Sequence, residues 1–357
     1  MKVAQLAPEM EVGGVERGTV EITRALVAAG HSAYVVSAGG RLTSVIEGAG
    51  GRHITMPIGS KNPMVAAACI PKIRRLIRDE RVDIVHARSR VPAWVGYFAT
   101  GGSHAHFITT AHGFYRPHWI SRSMVMGEKV IAVSHPLKQY LIEKFGVAES
   151  RIVVIHRGVD TAEFHERAAD EVKAFLEKWF IPPGGFVVGM VGRPSPVKGH
   201  AILLDAIKRL INSGVPIHAI FVGVEPDAEL AEPHPCIKFI RPMSDVALAY
   251  SAMDLCVMPS TVPEAFGRTV IEAMACRRPV IASNLGGVLD IIENGSNGLL
   301  FPAGDAGALA DRISLLFHDS ALRSRLADAG YQTVLQKFTL GKYISATLQL
   351  YQQILTK

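Results

Sequence analysis

Two carboxylates eight residues apart, Glu264 and Glu272, flank a Phe266-Gly267 turn in the stretch PSTVPEAFGRTVIEAMA, residues 259 to 275. The turn follows the apolar run DLCVMPS and leads into helical spacing through Thr269, Ile271 and Met274. A helix starting near Gly267 presents free N–H groups that can hold phosphate oxygens. Carboxylates beside such an anion site repel phosphate, so their natural work is to accept hydrogen bonds from neutral hydroxyls. Upstream, VGRPSPVKGH sets Arg193 and Lys198 where a strand gives way to a helix, and two cations there suit a diphosphate. A ribose, a diphosphate and a sugar in series satisfy both sets: Glu272 takes the ribose hydroxyls, Arg193 and Lys198 the diphosphate, and Glu264 the sugar. Taken singly, each residue also fits a bland role, as a solvated cation or a helix-start acid. Only their company points to a ligand.

The elements that position these groups are legible as two alternating sets. In the first half, KVAQLA, SAYVVSA, DIVHA, AHFITTA, KVIAVS and RIVVIH read as strands. Helical spacing lies between them, as at Val15 to Ala29 and Pro136 to Phe145, closed by Gly30 and Gly146. Residues 158 to 185 break the rhythm with an acidic helical segment and a Pro-Pro-Gly-Gly turn. GFVVGMVG, IHAIFVG, CIKFI, DLCVMPS, RPVIAS and GLLFPAG then form a second set, followed by helices from about Asp305. The pattern predicts an α/β chain of two Rossmann-like, doubly wound parallel-sheet domains. We place the first at 1–168 and the second at 169–340, with a C-terminal helix at about 341–357 that packs back on the first. Two such sheets predict a ligand cleft between their carboxyl ends.

Two further loops belong with this arrangement. In PEMEVGGVERG, Gly13 and Gly14 allow close backbone approach of a ligand at a helix start, although a purely structural turn fits as well. The spacing Gly-x-Gly-x-x-Gly occurs nowhere, which argues against a nicotinamide dinucleotide enzyme. His112, in ITTAHGFYRP, ends a strand and so faces the expected cleft. A lone His is more often structural than catalytic.

Of the 357 residues, 48% are hydrophobic and 20% charged, enough for two sizeable cores. Cys69, Cys236, Cys256 and Cys276 lie far apart with no Cys-x-x-Cys pair, so neither a zinc module nor a disulfide framework is suggested, and they suit a reducing interior. The start lacks a secretory leader pattern, and no apolar run reaches a membrane span. The charge is lopsided: residues 1–165 carry 20 Lys plus Arg against 13 Asp plus Glu. Much of the excess lies in IPKIRRLIRDERVDIVHARSR, where Lys72, Arg74, Arg75 and Arg78 share a helix with Ile70, Ile73, Leu76 and Ile77. The loop GFYRPHWISRS adds Arg116 and Trp119. These are the membrane or acceptor candidates, for an anionic membrane surface or an acidic acceptor. An ordinary amphipathic helix and packed aromatics are the plainer account. No nucleic-acid module is present, so nucleic acid is not an expected partner.

Glu264, seven intervening residues, Glu272, together with Gly192-Arg193, Lys198-Gly199, Gly158-Val159-Asp160 and Gly286-Gly287-Val288, resemble glycosyltransferase family 4 in order and over almost the whole chain. The resemblance implies the GT-B fold and a retaining hexosyltransferase that uses a nucleotide sugar with no cofactor and no metal; the absence of any Asp-x-Asp pair agrees. It also implies that His112 positions or polarises the transferred sugar, with Glu264, Arg193 and Lys198 as its catalytic company. The amides of Phe266, Gly267 and Thr269 would touch sugar and phosphates, with Gly13 and Gly14 flanking them. The backbone around Arg241 to Ser244, at Arg241 and Met243, is expected to meet the base. HARSRVPAW is similar to bacterial lipopolysaccharide-core transferases. The expected partners are therefore a UDP- or GDP-sugar and a glycolipid or lipopolysaccharide-core acceptor, at the cytoplasmic face of the cell membrane. Arg157, where many relatives carry Asn, and Pro194-Ser195-Pro196 depart from the family pattern. Rival readings are a sugar phosphorylase or a sucrose- or trehalose-type synthase of the same fold, and a non-catalytic glycan-binding partner.

Overall fold

The computed structural model describes residues 1–11, 13–226 and 234–356. The chain divides into two compact units, Met1–His156 with Tyr343–Lys357, and Arg157–Lys342. The first holds strands β1 (Lys2–Leu6), β2 (Ser32–Ser37), β3 (Arg52–Thr55), β4 (Ile84–Ala87), β5 (His106–Ala111), β6 (Lys129–Ala132) and β7 (Ile152–Val154). They form one parallel sheet in the order β3-β2-β1-β4-β5-β6-β7. The second unit holds β8 (Phe186–Val191), β9 (Ile217–Val222), β10 (Ile237–Ile240), β11 (Leu255–Met258), β12 (Val280–Ser283) and β13 (Leu299–Phe301). Its order is β10-β9-β8-β11-β12-β13. In each sheet the order reverses beside the first strand, so β1 and β4, and β8 and β11, mark the switch points where such sheets bind ligands.

The central strands are buried end to end because helices cover both faces, which is why they read as continuous apolar runs rather than alternating ones. Leu6, Val36, Val85, Ile73 and Phe107 pack in the first unit's core. Val188, Leu203, Phe221, Val257 and Ile313 pack in the second's. β3 was not expected from the sequence. Its four residues, Arg-His-Ile-Thr, form a partly exposed edge strand and carry no apolar run.

The contact division falls between His156 and Arg157, twelve residues before the expected boundary at 168. The intervening segment is tied to the second unit. The Arg167 N–H donates to Ser251 Oγ at 2.9 Å, and its guanidinium reaches Asp245 at 3.0 and 3.2 Å. Arg278 pairs with Glu166, and Phe164 lies against Tyr250. Residues Tyr343–Lys357, most of the last helix, belong to the first unit. There Tyr351 is fully buried, and its hydroxyl meets His86 Nδ1 at 2.7 Å while His86 Nε2 meets Thr110 Oγ1 at 2.7 Å. No helix among the described residues is long and apolar enough to cross a membrane.

The Arg167 guanidinium holds the Asp245 carboxyl below its ordinary value of 3.8. The pair therefore stabilises the fold above that value, and the contribution is lost as pH falls through the depressed one. Asp245→Asn keeps a side-chain oxygen to cap the following helix at Leu248 but removes the charge. Urea unfolding at neutral pH should show a loss of up to about 1 kcal/mol. The variant should also lose less stability than the parent on acidification below pH 4.

Candidate active site

β8 ends at Val191, and the chain turns through Gly192-Arg193 into a single 3₁₀ turn, Pro196–Lys198, before the helix His200–Asn212. β11 ends at Met258, and its loop leads to Gly267 and the helix Arg268–Ala275. The two loops are stitched together. Thr261 donates its N–H to the Val197 carbonyl at 3.0 Å and its hydroxyl to the Pro196 carbonyl at 3.1 Å. Gly199, with φ of 73°, closes the join: a Cβ there would stand 1.8 Å from the Pro259 carbonyl oxygen. His200 Nε2 lies 3.2 Å from the Gly192 carbonyl, and burial pushes the imidazole below its ordinary pKa. A neutral ring with its proton on Nε2 then holds the turn that carries Arg193.

Lys198 and Glu264, assigned by sequence to different parts of a ligand, are in direct contact: Nζ donates to Oε1 at 2.6 Å. Ser260, fully buried, donates its hydroxyl to the same oxygen at 2.8 Å. The backbone of Glu264 is pinned from the other side. It pairs with Gly286 as a parallel bridge, and its carbonyl accepts the Gly287 N–H at 2.7 Å. A Cβ on Gly286, whose φ is 67°, would meet the Glu264 carbonyl oxygen at 2.5 Å, and one on Gly287 would meet the Ala265 oxygen at 2.3 Å. The double glycine is thus what lets the Glu264 loop lie against its neighbour.

The helix Arg268–Ala275 starts at Gly267 with no side-chain cap. Its first-turn amides, including that of Thr269, therefore keep the anion-binding potential of a helix start. Phe266 places its ring in the core, 5.6 Å from Phe338, so only its backbone is available to a ligand. One turn into the helix, Glu272 is buried. Its Oε2 accepts from the Tyr250 hydroxyl at 3.2 Å, and Arg268 Nε lies 3.5 Å from its Oε1. Burial first, and then the charge of Glu272, push the Tyr250 hydroxyl well above its ordinary pKa, so it stays a donor. Arg193 is exposed.

Arg241 and Met243 follow β10 and line a hollow of about 640 Å³ with Phe175, Lys178 and Trp179. The Arg241 side chain, largely exposed, lies 3.1 Å from Glu225. In the first unit, Gly13 caps the helix Gly14–Ala28, and His112 follows β5 with its N–H donating to the Tyr115 hydroxyl at 3.2 Å. Lys72, Arg74, Arg75 and Arg78 stand exposed on the helix Ile70–Glu80, and Arg116 and Trp119 are exposed on the loop after β5. Sequence reasoning missed Ser260, Tyr250 and Arg268. Nothing in their spacing marks them, and they are found only through the carboxylates they hold.

Gly287→Ala should force the Glu264 loop to move. Urea unfolding should report a loss of roughly 1–3 kcal/mol, and a structure of the variant should show the Lys198 to Glu264 contact lengthened.

Known proteins share this plan. The chain matches Glycosyltransferase Family 4 over residues 12–163 and Glycosyl transferases group 1 over residues 171–333. A glycosyltransferase from Rickettsia africae ESF-5, solved by crystallography, is similar over 99% of this chain and 98% of that one, with 32% identity and a TM-score of 0.91. The phosphatidyl-myo-inositol mannosyltransferase of Mycobacterium leprae (strain TN) is 26% identical over 100% of this chain and 98% of its own. Anabaena Alr3699/HepE, solved in complex with UDP-glucose, shares the fold at a TM-score of 0.84 and 22% identity, over 100% of this chain and 99% of that one. With both halves matched and the Rickettsia protein alike from end to end, the chain belongs to the family 4 glycosyltransferases of GT-B fold.

Proposed function

We propose that the protein moves a hexose, with retention and without a bound metal, from a nucleoside-diphosphate sugar to a lipid-linked or lipopolysaccharide-core acceptor at the cytoplasmic membrane face. The observation that carries this reading is the contact of Lys198 and Ser260 with Glu264, on the loop that leads into the uncapped start of the Arg268–Ala275 helix. It offers positive groups for a diphosphate beside a fixed carboxylate for sugar hydroxyls. Glu272, oriented by Tyr250 and Arg268, suits the ribose hydroxyls. Arg193 and the amides of Phe266, Gly267 and Thr269 complete the donor site, and the backbone at Arg241 and Met243 takes the base.

Catalysis on this reading is electrostatic. As the bond from the anomeric carbon to the phosphate oxygen breaks, negative charge grows on the diphosphate. On this reading Lys198, Arg193 and the helix amides meet it. The acceptor oxygen attacks the same face and gives its proton to the departing phosphate, so configuration is retained. Lys198 has three N–H donors and can keep Glu264 while reaching a phosphate oxygen. Gly13, Gly14 and His112 are assigned to positioning the sugar. The M. leprae relative is named for a lipid acceptor and HepE was solved with UDP-glucose, which supports a lipid acceptor and a nucleotide-sugar donor here. The exposed cations of the Ile70–Glu80 helix suit an anionic surface, at about 1 kcal/mol for each.

Calorimetric titration with UDP, GDP and ADP, with and without EDTA, tests the donor site. One of the three should bind and survive EDTA. Glu272→Gln, which keeps the shape beside Tyr250, should weaken it at least about 10-fold. A folded protein that binds none of the three would overturn the reading.

A further inference from the structure

In the first unit, a groove of about 350 Å³ lies between the helix Arg90–Thr100, the short helix Pro63–Ala67 and the turn Trp119–Arg122. Its walls are almost wholly apolar, lined by Trp94, Phe98 and Trp119 together with Ala67, Ile70 and Val91. Trp94 stacks on Phe98 at 5.7 Å between centroids and lies 6.3 Å from Trp119. Its indole N–H donates to the Ile120 carbonyl at 3.1 Å, which fixes the ring. The fold nevertheless leaves Trp119 64%, Phe98 49% and neighbouring Met64 76% exposed. A contiguous apolar patch kept in water marks a binding surface.

Charge selects the occupant. Residues 48–78 and 84–127, which supply every wall, contain no Asp or Glu. Lys61 lines the groove itself, Arg74 donates to the Phe98 carbonyl at 2.9 Å, and Arg116 and Arg122 flank Trp119 in the chain. A second copy laid on this face would bring cation against cation. An anionic amphiphile satisfies both features, with its hydrocarbon against the aromatics and its phosphate among the cations. The enclosing helices follow β3, β4 and β5, so the groove belongs to the strand ends that also carry His112. Tyr115 links the two places: its hydroxyl accepts the His112 N–H, and Arg90, first residue of the Trp94 helix, lies 5.5 Å over its ring.

We propose that this groove holds the hydrocarbon chain of an anionic lipid acceptor, with the lipid phosphate at its cationic rim. The assignment rests on the transferase reading for the word acceptor, and on the groove alone for the lipid.

The test titrates the full chain with monomeric n-alkyl phosphates of increasing length, and with alkyl glucosides of the same lengths, alongside the nucleotide titration. Affinity should rise about fourfold per methylene and then level off once the groove is full, with phosphates tighter than glucosides. Ala67→Trp, which plugs the groove from an exposed helix position, should abolish the length dependence and leave nucleotide binding intact. Trp119→Ser, at an exposed site that folding does not need, should weaken the longest phosphate about tenfold. Binding that is absent, independent of length, or unchanged in both variants overturns the proposal. So does self-association that vanishes in Ala67→Trp without any alkyl phosphate effect. If nucleotide binding persists in those cases, the transferase reading stands and only the groove assignment falls. Length-dependent binding with no nucleotide binding keeps the lipid groove and removes the transferase.

Discussion

The donor-side geometry depends on a steric constraint between two stretches of backbone. Glu264 can stand beside Lys198 and Ser260 only because Gly286 and Gly287 let another chain segment run against its main chain with no Cβ between them. From that contact follow the position of the carboxylate, the direction of the loop into Gly267 and the starting point of the Arg268–Ala275 helix. Gly199 serves the adjoining loop in the same way, giving Pro259 room for its carbonyl. The geometry of these loops is therefore set by where side chains are missing as much as by where they are present.

On that frame the electrostatics are arranged before any ligand arrives. Lys198 has a carboxylate partner, Glu264 has two donors, and Glu272 has Tyr250 and Arg268. Each charge is partly desolvated and each is oriented by its partners, which is the condition for electrostatic preorganisation on the proposed reading.

Much of this was legible in the sequence, and the exceptions have physical causes. Buried parallel strands read as apolar runs, so β1, β4, β8 and β11 announced themselves; β3, polar and at an edge, did not. The composition shift near residue 158 showed that one unit gives way to another. It could not show that Arg167 and Glu166 reach Asp245 and Arg278, because ion pairs between distant residues leave no periodicity. Residue type and spacing grouped Glu264, Glu272, Arg193 and Lys198, and of these the structure brings Lys198 and Glu264 into contact. The contact between Lys198 and Glu264 arises from Thr261 bonding to the Pro196 and Val197 carbonyls. Ser260 reads as one more turn residue in PST, and Tyr250 as one more core aromatic. The glycine pair was visible as a motif, while its reason, the absence of room for a methyl group, is a fact of three dimensions.

The last helix carries a consequence for how the molecule is made. Tyr343 and Tyr351 complete the first unit's interior, Tyr351 sealing His86 and Thr110 and Tyr343 lying 3.5 Å from the buried guanidinium of Arg88. More than three hundred residues are synthesised between β1 and those tyrosines. The nascent first unit therefore leaves the ribosome with an open, polar seam that nothing yet covers. The usual order, in which an N-terminal domain finishes before the next begins, is reversed here for its final step: the second unit can close around its own core while the first still waits for Tyr343 and Tyr351.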